Sequence, residues 1–112
     1  MGAGLFDTNR LIEYAKENKK DLKGYTTVFN IIEFPKIIEF FSNIDVLYPE
    51  QSDYDLAIKI ATELYKIGKP VPSIDIIIGA ICINSNLILF SKNKHFEYIK
   101  EIASELQIFQ DV

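Results

Sequence analysis

Hydrophobic and polar positions follow two patterns along this chain: short apolar runs, and longer stretches with apolar residues three or four positions apart. The short runs predict strands at residues 5–6, 25–29, 44–48, 87–90 and 108–109. The longer stretches predict helices near residues 11–15, 30–41, 52–68, 73–86 and 95–106. Strands that alternate with helices indicate βαβ units, and hence a parallel sheet with helices on both faces.

Two of the predicted helices place an acidic residue in their first turn. Asn30 and Glu33 have the spacing of a capping box, which predicts that the helix at 30–41 begins there. Pro35 is compatible with such a helix only near its start. In the helix at 73–86, Asp75 lies in the first turn.

Four polar residues are predicted to share one edge of the sheet. Asp7 follows the first strand, Asn93 follows the strand at 87–90, and Glu33 and Asp75 begin helices that run back from the same edge. An oxygen-only ligand set favours Mg²⁺ or Mn²⁺ over zinc, and such an ion can promote phosphodiester hydrolysis. Each residue alone is also explained as a helix cap, a helix-dipole partner or a turn former.

Composition indicates one folded domain over residues 1–112, because 48% of the residues are hydrophobic and no linker interrupts the pattern. The single cysteine, Cys82, excludes an intramolecular disulfide and, without a secretory leader, predicts a cytoplasmic protein. The longest apolar run, residues 76–83, is far shorter than the roughly 20 residues that cross a bilayer, so no membrane span is predicted.

The charge balance restricts nucleic-acid binding to a local surface. Twelve Lys and Arg against sixteen Asp and Glu give a net charge of −4, which excludes a general nucleic-acid coat protein. No glycine-rich phosphate loop is present, so a nucleotide cofactor is not expected. Cations close in sequence to the four polar residues are candidate contacts for nucleic-acid phosphates, although scattered surface lysines would look similar: Arg10, Lys36, Lys92 and Lys94.

Four sequence blocks carry a family resemblance. In chain order they are LFDTNRLIEY, YTTVFNIIEF, GKPVPSIDIIIGAI and LILFSKNKHFEYI. Together they resemble PIN-domain proteins, and in particular the VapC-type toxins of prokaryotic toxin–antitoxin pairs, over residues 4–99. The resemblance implies a three-layer α/β/α fold and a metal-dependent ribonuclease. It places Asp7, Glu33 and Asp75 in the acidic pocket, with Asn93 at the fourth position.

The chain departs from the family pattern at three positions. Asn93 stands where many members have Asp, and an amide can coordinate a metal through its carbonyl oxygen but brings no charge. A second metal ion would therefore be held more weakly. Asn30 and Ser91 stand where Thr is commoner, and both keep a hydrogen-bonding side chain.

The sequence therefore predicts a Mg²⁺- or Mn²⁺-dependent endoribonuclease that is restrained by an antitoxin and acts as a homodimer. Ile32 and Phe40 lie off the predicted core-facing arc of the helix at 30–41, formed by Ile31, Phe34, Ile37, Ile38 and Phe41, which suggests a partner surface.

Two other functions stay open. One is a PIN-like module that binds RNA or protein without cutting, because the fourth acid is missing. The other is a phosphoacceptor receiver domain, which is disfavoured because Asp7 has no adjacent acidic partner. His95 at a helix start is more simply a solvated residue than a functional one, and Cys82 is predicted to be an inert core thiol.

Overall fold

Five parallel strands form one sheet in the computed structural model, which describes residues 3–109. The strands are β1 (Gly4–Phe6), β2 (Gly24–Thr27), β3 (Ile44–Leu47), β4 (Ile88–Phe90) and β5 (Gln107–Phe109). The helices are α1 (Thr8–Lys16), α2 (Val28–Glu33), α3 (Lys36–Phe40), α4 (Gln51–Lys66), α5 (Ser73–Asn84) and α6 (Lys94–Ile102). The strand order is β3-β2-β1-β4-β5, with β3 and β5 at the edges.

Successive residues of β1 point to opposite faces of the sheet and belong to separate cores. Leu5 packs in the larger core with residues of α4, α5 and α6. Phe6 packs in the smaller core with Leu11 of α1 and Ile37 of α3. The sheet therefore separates two helical layers, which confirms the predicted three-layer α/β/α architecture.

The direction in which the sheet grows reverses between β1 and β4. The chain adds β2 and then β3 on one side of β1, and it returns through α4 and α5 to place β4 on the other side. Phe6 at the end of β1 is in register with Phe90 at the end of β4. Such a reversal opens a crevice at the carboxyl ends of the two central strands, which is where open α/β sheets bind ligands. Asp7 and Ser91 are the first residues beyond those ends.

The predicted helix at 30–41 is two short helices, and Pro35 is the reason. Phe34 leaves the helical region with φ −145° and ψ 83°, since the residue before a proline disfavours helical geometry. The first helix, α2, begins before Asn30, because Thr27 is its N-cap and Asn30 is the N3 member of the capping box. Glu33 is consequently the last residue of α2, so its predicted place in a first turn is wrong.

The same break changes which side chains face the core. Ile37 and Phe41 are buried as predicted, but Ile38 is 61% exposed and belongs to no core. Phe40 was predicted on a partner surface, yet it packs on the smaller core, with its ring centroid 4.9 Å from that of Phe41. A single helical phase does not continue through the break. Ile32 is exposed, as predicted.

The other differences are at element ends. Val28 and Phe29 belong to α2 instead of the preceding strand, and α6 ends at Ile102, short of the predicted residue 106. Cys82 is buried in the larger core, where burial raises the pKa of its thiol, as expected for an inert residue. Among residues 3–109, no helix is both long and apolar enough to cross a membrane.

Two adjacent isoleucines of α3 provide a test of the broken helix. We expect Ile37→Ala to lower the free energy of unfolding by about 2–5 kcal/mol, because it leaves a cavity in the smaller core. Ile38→Ala removes the same atoms from an exposed position and should change stability by less than about 0.5 kcal/mol. Urea denaturation of both variants measures the difference. Similar losses would show that the two side chains share the core, as in one continuous helix.

Candidate active site

Asp7 occupies the crevice between β1 and β4. It is the N-cap of α1, and its Oδ1 accepts a hydrogen bond from the Arg10 backbone N–H at 2.9 Å. Its Oδ2 accepts a hydrogen bond from the Ser91 hydroxyl, just beyond β4. One carboxylate is thus bonded to residues that follow both central strands.

The pKa of Asp7 is raised above its ordinary value, chiefly by burial. The Ser91 hydroxyl, the Arg10 backbone N–H and the charge of Arg10 act in the opposite direction. The negative charge of Asp75 makes a smaller contribution in the same direction as burial, because like charges repel each other.

Asp75 lies in the first turn of α5, as predicted, and its side chain is 19% exposed. Its Oδ2 receives two hydrogen bonds from the beginning of α6. His95 Nδ1 lies 3.0 Å away, and Asn93 Nδ2 donates at 3.3 Å. These contacts join the start of α5 to the start of α6 beside Asp7.

One cavity of about 520 Å³ is lined by all four residues of the predicted rim, namely Asp7, Glu33, Asp75 and Asn93. Glu33 is exposed and reaches the cavity from the end of α2. His95 lines the same cavity and contacts Asp75, although sequence reasoning gave it no role. Its position two residues after Asn93, at the start of a helix leaving the same edge, is the signal that could have identified it. The remaining walls are largely apolar and include Phe29, Ile32, Pro72 and Ile74.

A second cavity of about 540 Å³ shares Asp7, Asn9 and Asn93 with the first, and its wall includes Glu13 and the cations Arg10, Lys16 and Lys92. Lys92 is exposed there, with Nζ 3.4 Å from Glu13. Lys16 lines it too and was missed, because it lies at the far end of α1 from Asp7 and only the helix brings it to the same groove.

Of the other predicted cations, one, Arg10, also lines the second cavity. Arg10 is only 3% exposed, and its Nε lies 3.8 Å from Glu13, so its buried guanidinium does not fit the expected role as a surface phosphate contact. Its charge instead lowers the pKa of Asp7. Lys36 and Lys94 are exposed at the starts of α3 and α6 and line neither cavity.

A buried polar network supports the floor of the site. Asn30 Nδ2 donates to Thr8 Oγ1 at 3.0 Å, while its Oδ1 accepts from the Thr27 backbone N–H at 3.1 Å and the Thr27 hydroxyl at 2.6 Å. This network joins the start of α2 to the start of α1, next to Asp7. The predicted hydrogen-bonding roles of Asn30 and Ser91 are both realised.

The donor chemistry of Asp7 and Asp75 fits a hard divalent cation. Both offer carboxylate oxygens to one cavity, and a bound cation would offset the burial of Asp7 and the repulsion between the pair. In the described part of the chain, no three His, Cys, Asp or Glu side chains are gathered closely enough to form a complete metal-binding group. The cavity is therefore a two-carboxylate centre with Glu33 at its margin.

Asp7→Asn should stabilise the protein at neutral pH. Because burial raises the folded-state pKa of Asp7, ionising this carboxyl costs stability, and the cost grows as the pH rises from 3.8 and is complete above the folded-state pKa. Asparagine keeps an oxygen for capping α1 and removes the charge. We expect the variant to melt above the wild type at pH 7, and the difference to shrink as the pH falls towards 3.8, the ordinary pKa of the group.

Thermal melts from pH 3.5 to 8 measure this effect, with the exposed Asp55→Asn as the control. A variant that melts at or below the wild-type temperature at pH 7 would contradict the assigned burial cost.

Solved structures share this fold at low sequence identity. A chain of VapBC-1 from nontypeable Haemophilus influenzae matches with a TM-score of 0.75 and 21% identity, covering 96% of each chain. A chain of DNA-bound VapBC from Salmonella typhimurium matches with a TM-score of 0.76 and 19% identity, covering 98% of each chain. A chain of VapBC2 from Rickettsia felis, bound to a promoter DNA fragment, matches with a TM-score of 0.73 and 15% identity. No protein-family model and no curated protein matches the sequence. These similarities confirm the fold that the sequence resemblance implied.

Proposed function

We propose that this protein is a Mg²⁺- or Mn²⁺-dependent endoribonuclease and the toxin of a toxin–antitoxin pair. The observation that carries the proposal is the pairing of Asp7 and Asp75 in the crevice between β1 and β4, in a fold shared with VapBC structures. RNA as the substrate follows from the VapC-type resemblance of the sequence.

Asp7 and Asp75 are the residues we propose to hold the metal, with Glu33 completing the acidic wall. The ion would supply positive charge for the phosphodiester and lower the pKa of water. Ser91 and the Arg10 backbone N–H hold Asp7 in place, while Asn93 and His95 hold Asp75. The protein's own contribution is thus to fix two carboxylates against their mutual repulsion.

The two cavities support a path for RNA across the site. They share Asp7, Asn9 and Asn93, and one is lined by Lys16 and Lys92, whereas the other has largely apolar walls. We propose that RNA phosphates lie along the cavity lined by Lys16 and Lys92, here called the cationic cavity, and that unpaired bases contact the apolar walls of the other cavity. The chain has a net charge of −4, so this arrangement confines the attraction for RNA phosphates to the surface next to the acidic residues of the site.

We propose an antitoxin and a second copy of the chain as protein partners. Ile32 and Ile74 are 72% and 41% exposed, and both line the first cavity, which contains the four rim residues. An antitoxin that covered them would therefore also block the site. Tyr54, Ile58 and Tyr65 are exposed at helical spacing on α4, which gives a separate apolar stripe for self-association. The similar solved structures are of VapBC assemblies, which supports the antitoxin.

A module that binds RNA without cutting is the second candidate. It is favoured by the neutral Asn93 at the fourth rim position and by the two-carboxylate character of the described site.

Cleavage of a mixed RNA pool across Mg²⁺ and Mn²⁺ titrations separates the candidates. We expect the wild type to cut, EDTA to stop the reaction, and Asp7→Asn and Asp75→Asn each to lower the rate by at least about 10²-fold, because each removes a charged ligand. Asp55→Asn, which changes an exposed acid on α4, should cut at the wild-type rate.

Two results would contradict the nuclease. A wild type that binds RNA but never cuts it favours the non-cutting module. Equal rates in the wild type and Asp7→Asn would trace the activity to a contaminant.

The cationic cavity is tested by Lys16→Gln combined with Lys92→Gln. Each lost phosphate contact should reduce the slope of log K against log salt by roughly 0.7 for a single strand. We therefore expect weaker binding of single-stranded RNA and a slope lower by about 1.4. Fluorescence anisotropy at several salt concentrations measures both quantities. The control is Lys59→Gln combined with Lys66→Gln on α4, and an equal loss there would show that the attraction is not local.

A further inference from the structure

We propose that Asn93 and His95 are positioning residues that hold Asp75 by donating hydrogen bonds, and that Asn93 is not a metal ligand. This inference deepens the proposed function and rests on it only where the metal is concerned. In this arrangement the two-carboxylate site is assembled before any cation binds.

The orientation of the Asn93 amide is determined by its role as the N-cap of α6. Its Oδ1 accepts a hydrogen bond from the His95 backbone N–H at 3.0 Å. A backbone N–H can only donate, so the atom facing it must be the carbonyl oxygen. The amide nitrogen is then the atom that faces Asp75 Oδ2, at 3.3 Å.

This geometry makes Asn93 a donor at the site. The group presented to Asp75 is an N–H, which cannot coordinate a cation, and the carbonyl oxygen is directed to the backbone N–H of His95 at the start of α6. The interpretation of Asn93 as a ligand through its carbonyl, taken from its place in the family pattern, does not fit this arrangement.

The contact between His95 and Asp75 determines where the imidazole carries its proton. Nδ1 lies 3.0 Å from Asp75 Oδ2, and an ionised carboxylate can only accept. Nδ1 must therefore be protonated, which places the neutral ring in the Nδ1–H tautomer. The imidazole ring is 39% exposed, and its contact with Asp75 is what favours this tautomer.

Alternate residues of one short segment contact both acids. The Ser91 hydroxyl donates to Asp7, while Ser91 Oγ accepts from the Asn93 backbone N–H at 3.0 Å. The side chains of Asn93 and His95 donate to Asp75. The segment from β4 to α6 thus supplies neutral donors to two carboxylates that repel each other, which is the task otherwise left to a cation.

The chain contains a single histidine, so the imidazole nitrogen signals of His95 can be assigned without ambiguity. In metal-free protein, at a pH where the ring is neutral, we expect ¹H–¹⁵N correlation spectra to show the Nδ1–H tautomer. Asp75→Ala should shift the population towards Nε2–H, whereas the control Asp55→Ala should leave it unchanged. An Nε2–H tautomer in the wild type, or an unchanged spectrum in Asp75→Ala, would overturn the role of His95.

Two substitutions at Asn93 distinguish its role as a hydrogen-bond donor to Asp75 from its role as the N-cap of α6. Serine and aspartate both keep an oxygen that caps α6, but serine removes the N–H that faces Asp75 and aspartate replaces it with a negative charge. In EDTA we expect Asn93→Ser to lower the melting temperature and Asn93→Asp to lower it further. Added Mn²⁺ should raise the melting temperature of Asn93→Asp more than that of the wild type.

An Asn93→Asp variant as stable as the wild type in EDTA would overturn the inference, since the position would then tolerate charge without a cation. The measurements in EDTA involve neither RNA nor metal. Their outcome is therefore distinct from that of the cleavage assay, and a protein that fails to cut RNA could still show the expected spectra and melting order.

Discussion

The reversal of strand order between β1 and β4 is the constraint on which the rest of the site depends. Parallel strands bring their carboxyl ends to one edge, and the reversal leaves the ends of these two central strands uncovered by a crossover. Asp7 and Ser91 meet there because Phe6 and Phe90 are in register. The helices α1, α5 and α6 begin at the same edge, so their first residues form the walls of one cavity.

Holding two acids in such a crevice is costly, and the surrounding polar groups are arranged to reduce that cost. Asp7 accepts hydrogen bonds from a backbone N–H and from a hydroxyl, and it lies near the charge of Arg10. Burial nevertheless raises the pKa of Asp7. Asp75 accepts hydrogen bonds from two side chains, and its own side chain stays partly exposed to solvent. This balance explains how a metal-free site can persist while retaining an affinity for a cation: the hydroxyl, amide and backbone donors hold the two acids in place but bring no positive charge of their own.

Sequence reasoning located the residues whose position depends on a strand end or a helix start. Asp7, Asp75 and Asn93 lie within one or two residues of such a boundary, so the topology alone brings them to the rim. It failed where a local feature changed the helix. Pro35 divided the helix at 30–41 and turned Ile38 towards solvent, and the start of α2 at Val28, after the Thr27 cap, placed Glu33 beyond the first turn.

Side-chain direction was the other limit. Nothing in the spacing of Arg10 reveals that its guanidinium folds back beside Glu13, and nothing in the spacing of Asn93 distinguishes a ligand oxygen from a capping one. His95 was passed over because a lone histidine at a helix start is usually solvated, and only the structure shows its contact with Asp75. Lys16 reached the cationic cavity through the length of α1.

The central claim is that Asp7 and Asp75 together bind a divalent cation, and anomalous diffraction from crystals grown with Mn²⁺ tests it most directly. The account predicts one Mn²⁺ peak bound by oxygens of both carboxylates, with the Asn93 carbonyl still capping α6. The absence of a peak between these two side chains at millimolar Mn²⁺, or a Mn²⁺ ion bound there through the Asn93 oxygen, would contradict it.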